Sequence, residues 1–363
     1  MTKNIIEISE KLYMRIYEQV RKDIVDGLYP CGSKLPSKRT MAQDRGVSVI
    51  TVQHAYELLC DEGYVVPRER SGYFVVYDES NSFASEPAAA RPVRHYAPGS
   101  ARSDFPFSVY ARTARRTLSV YGEELLVRSP NYGCVILRDA IALYLARCRR
   151  IKVDQSQIII GSGAEYLYGL IVQALGRDRV YGLESPSYEK IAQVYQANGV
   201  VCEHLPLGPD GINSEALRAS KAGVLHITPY RSYPSGVTAS AAKRKEYLRW
   251  GSLRDAYIIE DDFESEFTPA KKPEGTLFSL DEEDRVIYLN TFSNSVSASL
   301  RIGYMLIPPS LSEKFEENIG FYTCTVPTVE QYVLAELINS GDFERHINRV
   351  RRRRRKGGVK WML

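Results

Sequence analysis

The sequence has no run of about 18 apolar residues, the length at which an apolar helix could span a bilayer. Its opening, MTKNIIEISEKLYMRIYEQ, is polar and amphipathic, without the apolar core of a signal peptide. These absences predict a soluble, cytoplasmic protein with no membrane span. The six cysteines (Cys31, Cys60, Cys134, Cys148, Cys202 and Cys324) form no CxxC pair. Such scatter argues against a zinc site or disulfide framework and fits reduced thiols, so no metal ligands are assigned. Strong charge is missing too. A net charge of +4 over 363 residues does not by itself announce a nucleic-acid partner, which must show in local pattern. Internal repeats are absent. Apolar residues are not scarce: at 44% of the chain they can bury a core in each of two domains.

Three segments follow from the pattern. Residues 1–77 are amphipathic helices followed by a short β pattern. Residues 78–96, DESNSFASEPAAARPVRHY, are rich in Ser, Ala, Pro and Glu without an apolar period, and read as a linker. In residues 97–363, apolar runs such as QIII, RVYGL, VVCEHLPL, GVLHITP, AYIIEDD and RVIYLNTF alternate with helical patterns. Near-continuous apolar strands separated by helices predict an α/β domain, its sheet covered on both faces.

Within the first segment, Leu12, Ile16, Val20 and Ile24 share one helical face that Gly27 terminates. Ser37 is placed to cap a second helix containing Met41 and Ala42, and Ser48 a third in which Val52, Ala55, Tyr56 and Leu59 face inward. EGYVVPRERSGYFVVY alternates as a hairpin with its tip at Arg68 to Gly72. Helix, helix, turn, helix and hairpin make a winged helix-turn-helix. The segment LYMRIYEQVRKDIVDGLYPCGSKLPSKRTMAQDRGVSVITVQHAYELLCDEGYVVPRERSGYFV resembles the DNA-binding domain of the GntR family along almost its whole length. That resemblance implies double-stranded operator DNA as partner. It places Lys38 and Arg39 of the second helix, and Ser48, Thr51 and Gln53 of the third, toward DNA, with Arg70, Ser71 and Gly72 as the wing tip near the phosphates. The family usually carries Arg where this chain has Val49, and Val cannot bond guanine. His54 is read as a surface residue.

Residues 97–363 carry, in order, NYGCVILRDAIALYL, IIIGSGAEYLYGL, ESPSYEKI, HITPYRSYPSG, YIIEDDFESEF and TFSNSVSASLRIGYMLIP. In this order behind a GntR-type domain, they resemble the fold-type I aminotransferase domain of MocR-type regulators. The resemblance implies a transferase-like fold on a mostly parallel seven-stranded sheet, a pocket for pyridoxal 5′-phosphate (PLP), and a homodimer. Gly163 and Ala164 would form the turn at a helix start that gives backbone N–H groups to the phosphate. Asp261 would pair with the pyridine nitrogen, Tyr188 would lie by the ring, and Arg301 would grip the phosphate. Ser293 falls within the matched cofactor segment, and Tyr132 matches a residue directed at a partner subunit's site. Several positions depart from the pattern: Ala164 for a hydroxyl residue, Arg231 for a histidine, Phe263 for a tyrosine. Most consequentially, TFSN puts Asn294 at the Schiff-base lysine position. An amide cannot condense with an aldehyde or shuttle the transamination proton, so no catalytic residue is assigned.

The C-terminal GFYTCTVPTVEQYVLAELINSGDFERHINRVRRRRRK follows the family, and GGVKWML then ends the chain short of the family's small domain. Arg349 to Lys356 reads as a solvated helix end or frayed basic tail, with a second DNA-contacting patch as the alternative. The expectation is an operator-binding transcription regulator with a dimerising, effector-sensing C-terminal domain, its PLP non-covalent or absent. Two alternatives remain: a PLP-dependent aminotransferase with an accessory DNA-binding domain, disfavoured by Asn294, and a degenerate, truncated copy of a regulator.

Overall fold

The computed structural model describes residues 2–78, 105–263, 265–267 and 275–357, with only the backbone for 2–11, 356 and 357. The chain divides into two units, Met1–Ala97 and Pro98–Leu363. From residue 79 on, the linker expected at 78–96 lies outside the described residues.

The first unit runs α1 (Thr2–Val25), α2 (Lys38–Arg45), α3 (Val49–Asp61), β1 (Val65–Arg68) and β2 (Gly72–Val75). Ile16, Val20 and Ile24 recur every four residues on α1 and are buried against Val52, Ala55, Tyr56 and Leu59 of α3. Leu12 is half-buried. Each full burial of such a side chain contributes about 1.5–3 kcal/mol. The helix boundaries follow from capping chemistry. Ser37 accepts the Thr40 N–H and Ser48 the Thr51 N–H, each at 3.1 Å. Between them Gly46 ends α2 in the left-handed region, at φ 64°. β1 and β2 pair antiparallel from Val65 with Val75 to Arg68 with Gly72. A bridge from Lys34 to Phe74 lays the segment before α2 along the hairpin.

The second unit contains, in order, α4 (Phe107–Tyr121), α5 (Val135–Cys148), β3 (Ile158–Gly161), α6 (Ala164–Leu175), β4 (Tyr181–Ser185), α7 (Glu189–Ala197), β5 (Cys202–Gly208) and β6 (Gly211–Ile212). It continues through α8 (Ser214–Ala219), β7 (Val224–Ile227), α9 (Ala241–Arg254), β8 (Tyr257–Asp261), α10 (Leu277–Leu280), β9 (Val286–Thr291) and β10 (Gly303–Leu306). Helices α11 (Ser312–Ile319), α12 (Thr328–Asn339) and α13 (Asp342–Gly357) follow. The sheet order is β3-β10-β9-β8-β7-β4-β5-β6. The run from β9 to β5 is parallel, β10 is antiparallel to both neighbours, and the two-residue β6 turns back on β5. The expected mostly parallel sheet is therefore present, its seven long strands joined by one short edge strand. Successive side chains on a strand face opposite sides. Ile158 and Ile160 accordingly join the core with Leu137, Ile141 and Leu334 of α5 and α12, whereas Ile159 joins Leu167, Ile171 and Phe315 of α6 and α11. Among the described residues no helix is long and apolar enough to cross a membrane, and no cluster of His, Cys, Asp or Glu could hold a metal.

Candidate functional site

Parallel strands expose their last residues, and the polar groups there, at a common carboxyl edge; ligands of open α/β sheets bind there. At that edge, beyond β7, β8 and β9 and beside the starts of α6 and α7, lies a cleft of about 350 Å³. It brings together Ala164, Tyr188, Asp261, Phe263, Ser293, Asn294 and Arg301 from the sequence reading, and adds Glu165, Tyr168, Thr228, Tyr233 and Thr291.

Asp261, the last residue of β8, is 3% exposed. Its Oδ2 accepts the Tyr168 hydroxyl and lies 3.5 Å from Nε2 of His226, whose Nδ1 faces the Tyr195 hydroxyl at 2.7 Å. Oδ1 has no partner. A buried carboxylate oxygen left unpaired is costly, and its position in the cleft lining suits a ligand N–H donor. Burial, with Asp261 alongside, pushes the Tyr168 phenol far above its ordinary pKa, so that hydroxyl remains a donor.

Elsewhere the lining holds an ion pair, Arg301 with Glu165. Gly163, at φ 96°, turns the chain into α6, and a Cβ there would lie 3.2 Å from the Arg301 guanidinium. Arg301 itself holds a left-handed backbone at φ 49°, a conformation non-glycine residues adopt at a cost. Its Nη2 donates to Oε2 of Glu165, and Oε1 of that carboxylate lies 3.6 Å from Lys190 Nζ. Arg301 holds the Glu165 carboxyl below its ordinary value. Tyr188 caps α7, its ring 6.1 Å from that of Tyr233 in an edge-on arrangement. The Asn294 amide donates to the Phe263 carbonyl at 3.4 Å. Among the described residues, the lining contains no lysine.

In the first unit, Arg39, Ser48, Arg70 and Ser71 are exposed, and Arg70 at φ 57° with Gly72 at φ 108° forms the hairpin tip. Lys38 Nζ donates to Gln53 Oε1 at 3.2 Å, and Gln53 Nε2 donates to Glu57 at 2.8 Å, so these polar side chains are linked across α2 and α3. Thr51 requires a correction. It was expected to face DNA, yet it is 6% exposed, with its hydroxyl 2.7 Å from Ser48 Oγ. As the third residue of a Ser-capped helix, it folds back over the cap.

Residues 12–75 match the family described as bacterial regulatory proteins, gntR family, and residues 104–357 match aminotransferase class I and II. Over 356 residues the chain is 33% identical to YdeL, an uncharacterized HTH-type transcriptional regulator of Bacillus subtilis, covering 95% of this chain and 77% of that protein. The chain belongs to this family of HTH-type regulators with an aminotransferase class I/II domain. It is also 30% identical over 369 residues to the probable rhizopine catabolism regulatory protein MocR of Rhizobium meliloti, covering 94% and 74% of the two chains. Its fold superimposes on Pyrococcus horikoshii kynurenine aminotransferase, solved with PMP, at a TM-score of 0.62 and 27% identity. That match spans 69% of this chain and 64% of the aminotransferase.

The sequence reading placed Glu165 only in the phosphate-binding turn and gave no role to Tyr168 of the lining or to His226, which lies 3.5 Å from Asp261. Glu165 and Tyr168 are one helical turn apart at the start of α6, and His226 stands one strand from Asp261; all three sat inside motifs already singled out. Tyr132 was expected to reach a partner subunit. Its hydroxyl donates within the chain to Glu316 of α11 at 2.5 Å.

Proposed function

We propose that this regulator binds operator DNA as a homodimer through residues 1–77 and that its aminotransferase-like domain senses a vitamin B6-class ligand without turning it over. DNA recognition would use the exposed Arg39 of α2 and the half-buried Gln53 of α3, with Arg70, Ser71 and Gly72 of the wing against the phosphates. In the cleft, the unpartnered Oδ1 of Asp261 fits a protonated ring nitrogen, Tyr188 can lie against a ring, and the α6 N-terminus with Arg301 faces an anion. PLP, when bound, supplies an electron-withdrawing ring whose nitrogen needs such a carboxylate. The observation that carries the sensing reading is Asn294. It lies in the cleft lining, and the resemblance of TFSN to the aminotransferase motif would put it at the amine-bearing position; its amide can neither bond covalently to an aldehyde nor move a proton at neutral pH. The ligand would thus be held by Asp261, Arg301 and packing alone, free to leave, as a reversible signal requires.

The test is a visible-absorbance titration of the full chain with PLP, before and after borohydride reduction, beside Asn294→Lys. Reversible binding to the native chain, with a reduced covalent adduct at position 294 only in the variant, is the expected result. A covalent cleft adduct or amino-acid-dependent transamination by the native chain would overturn the sensing reading. Failure to enrich any operator from a random duplex library would overturn the DNA-binding one.

A further inference from the structure

We propose that Glu165 is a built-in occupant of the cleft's phosphate subsite, so that the cleft takes a pyridoxine-type ring at least as readily as its 5′-phosphate ester. The inference rests on the vitamin B6-class reading of the cleft and names its ligand more narrowly. Glu165 lies in the first turn of α6, next to Ala164, where the backbone N–H groups and helix dipole favour negative charge. Its two carboxylate oxygens engage both nearby cations: Oε2 accepts from Arg301, and Oε1 lies 3.6 Å from Lys190 Nζ. A phosphate entering the same place would meet neutralised cations and a like charge on the same helical turn.

Arg301 is already engaged, its Nη2 donating to Glu165. Its guanidinium packs 3.2 Å from the site of the absent Gly163 Cβ, and its own backbone sits at φ 49°. The carboxyl of Glu165, held below its ordinary pKa by Arg301, stays ionised wherever a phosphate is dianionic. Both side chains keep contact with water, at 52% exposure for Arg301 and 35% for Glu165, so solvent screening limits the competition to a moderate factor. The ring end of the cleft is uncontested, because Oδ1 of Asp261 has no partner there.

The experiment is calorimetric titration of the full chain and of Glu165→Gln with pyridoxine, pyridoxine 5′-phosphate and inorganic phosphate. The alcohols cannot condense with surface lysines, so they report the cleft alone. The native chain is expected to bind pyridoxine at least as tightly as the ester. Glu165→Gln is expected to gain about tenfold or more for the ester and to acquire measurable inorganic phosphate binding, with pyridoxine affinity unchanged within about twofold. Glu165→Ala repeats the measurement without an amide that could itself bond Arg301. A native chain preferring the ester by about tenfold or more, or variants that gain neither ester nor phosphate, would overturn the proposal. If no ring binds either protein while Glu165→Gln still gains inorganic phosphate, the vitamin B6-class reading fails and the role of Glu165 stands.

Discussion

Tyr168 donates its hydroxyl to Oδ2 of Asp261 and leaves Oδ1 of the same buried carboxylate unpartnered at the cleft. The tyrosine engages Oδ2 of the carboxylate and leaves Oδ1 as the oxygen available to a further donor. The arrangement makes the two residues separable by mutation. Asp261→Asn keeps the shape but removes the charge that strengthens a bond to a ring N–H. Charge-assisted bonds contribute about 1.5–3 kcal/mol, so pyridoxine affinity should fall by roughly tenfold to a hundredfold in calorimetry. Tyr168→Phe should instead lower folding stability by about 1–3 kcal/mol in urea unfolding, because it strips a partner from a buried charge. Equal ligand affinity in Asp261→Asn and the native chain would remove Asp261 from the binding site.

Two other buried acids set an unusual pH dependence. Burial pushes Glu260 and Glu266 each up to about 7, with the charge of Asp262 adding to the effect. Between the ordinary carboxyl value and about 7, the folded chain keeps protons that the unfolded chain has released. The unfolded state then binds fewer protons, so stability must fall as pH rises through that window and is fully present below it. The carboxyls held low, such as Glu165 and Asp342, act in the opposite sense only at lower pH. Urea unfolding should therefore show the second unit gaining stability from pH 7.5 to 5.5, on the order of 2 kcal/mol per group. The double variant Glu260→Gln, Glu266→Gln should flatten the profile. A flat profile in the native chain would show that these acids are ionised when folded.

Arg149 supplies the cation for this buried cluster, pairing with Asp262, which also accepts the Tyr288 hydroxyl at 2.7 Å. Removing one member of a buried pair leaves the other charge uncompensated, which typically costs about 3–5 kcal/mol. Arg149→Met should accordingly destabilise the second unit by about that amount. Adding Asp262→Asn to it should recover part of the loss. Recovery is the readout that separates a stranded charge from lost packing, since lost packing would persist in the double variant.

The elements governed by local chemistry were legible in the sequence. The four-residue spacing of Ile16, Val20 and Ile24, the caps at Ser37 and Ser48, and runs such as AYIIEDD each state their own structure within a few residues. Asp261 was legible for the same reason, since a carboxylate ending an apolar strand must face the sheet's carboxyl edge. What was hidden depends on distant partners. GYML gives no local sign that β10 runs against its neighbours, because an apolar strand reads alike in both directions. The pairing of Arg149 with Asp262 joins residues 113 positions apart, and that of Arg301 with Glu165 joins residues 136 apart. Thr51 was misplaced because a third-position residue that could face outward is drawn over its cap serine.

Val49 opens α3 directly after its cap and is 41% exposed, an apolar side chain where a DNA-reading helix would gain most from a donor. Val49→Arg should raise affinity for operators bearing guanine at the facing position by about 1–3 kcal/mol, the usual worth of a bidentate arginine contact. The folded state should scarcely notice. Arg is a slightly better helix former than Val by a few tenths of a kcal/mol, while a cation in the first turn costs about 0.3–1 kcal/mol against the helix dipole. These terms nearly cancel, so a change in binding can be read without a change in stability. Gel-shift titrations at fixed salt, with guanine and adenine versions of the selected operator, make the comparison. A gain confined to guanine places residue 49 in the major groove at a base edge. An equal gain on both sequences, with the salt slope steeper by about one, would put the new arginine on a phosphate instead and remove Val49 from the specificity-determining face.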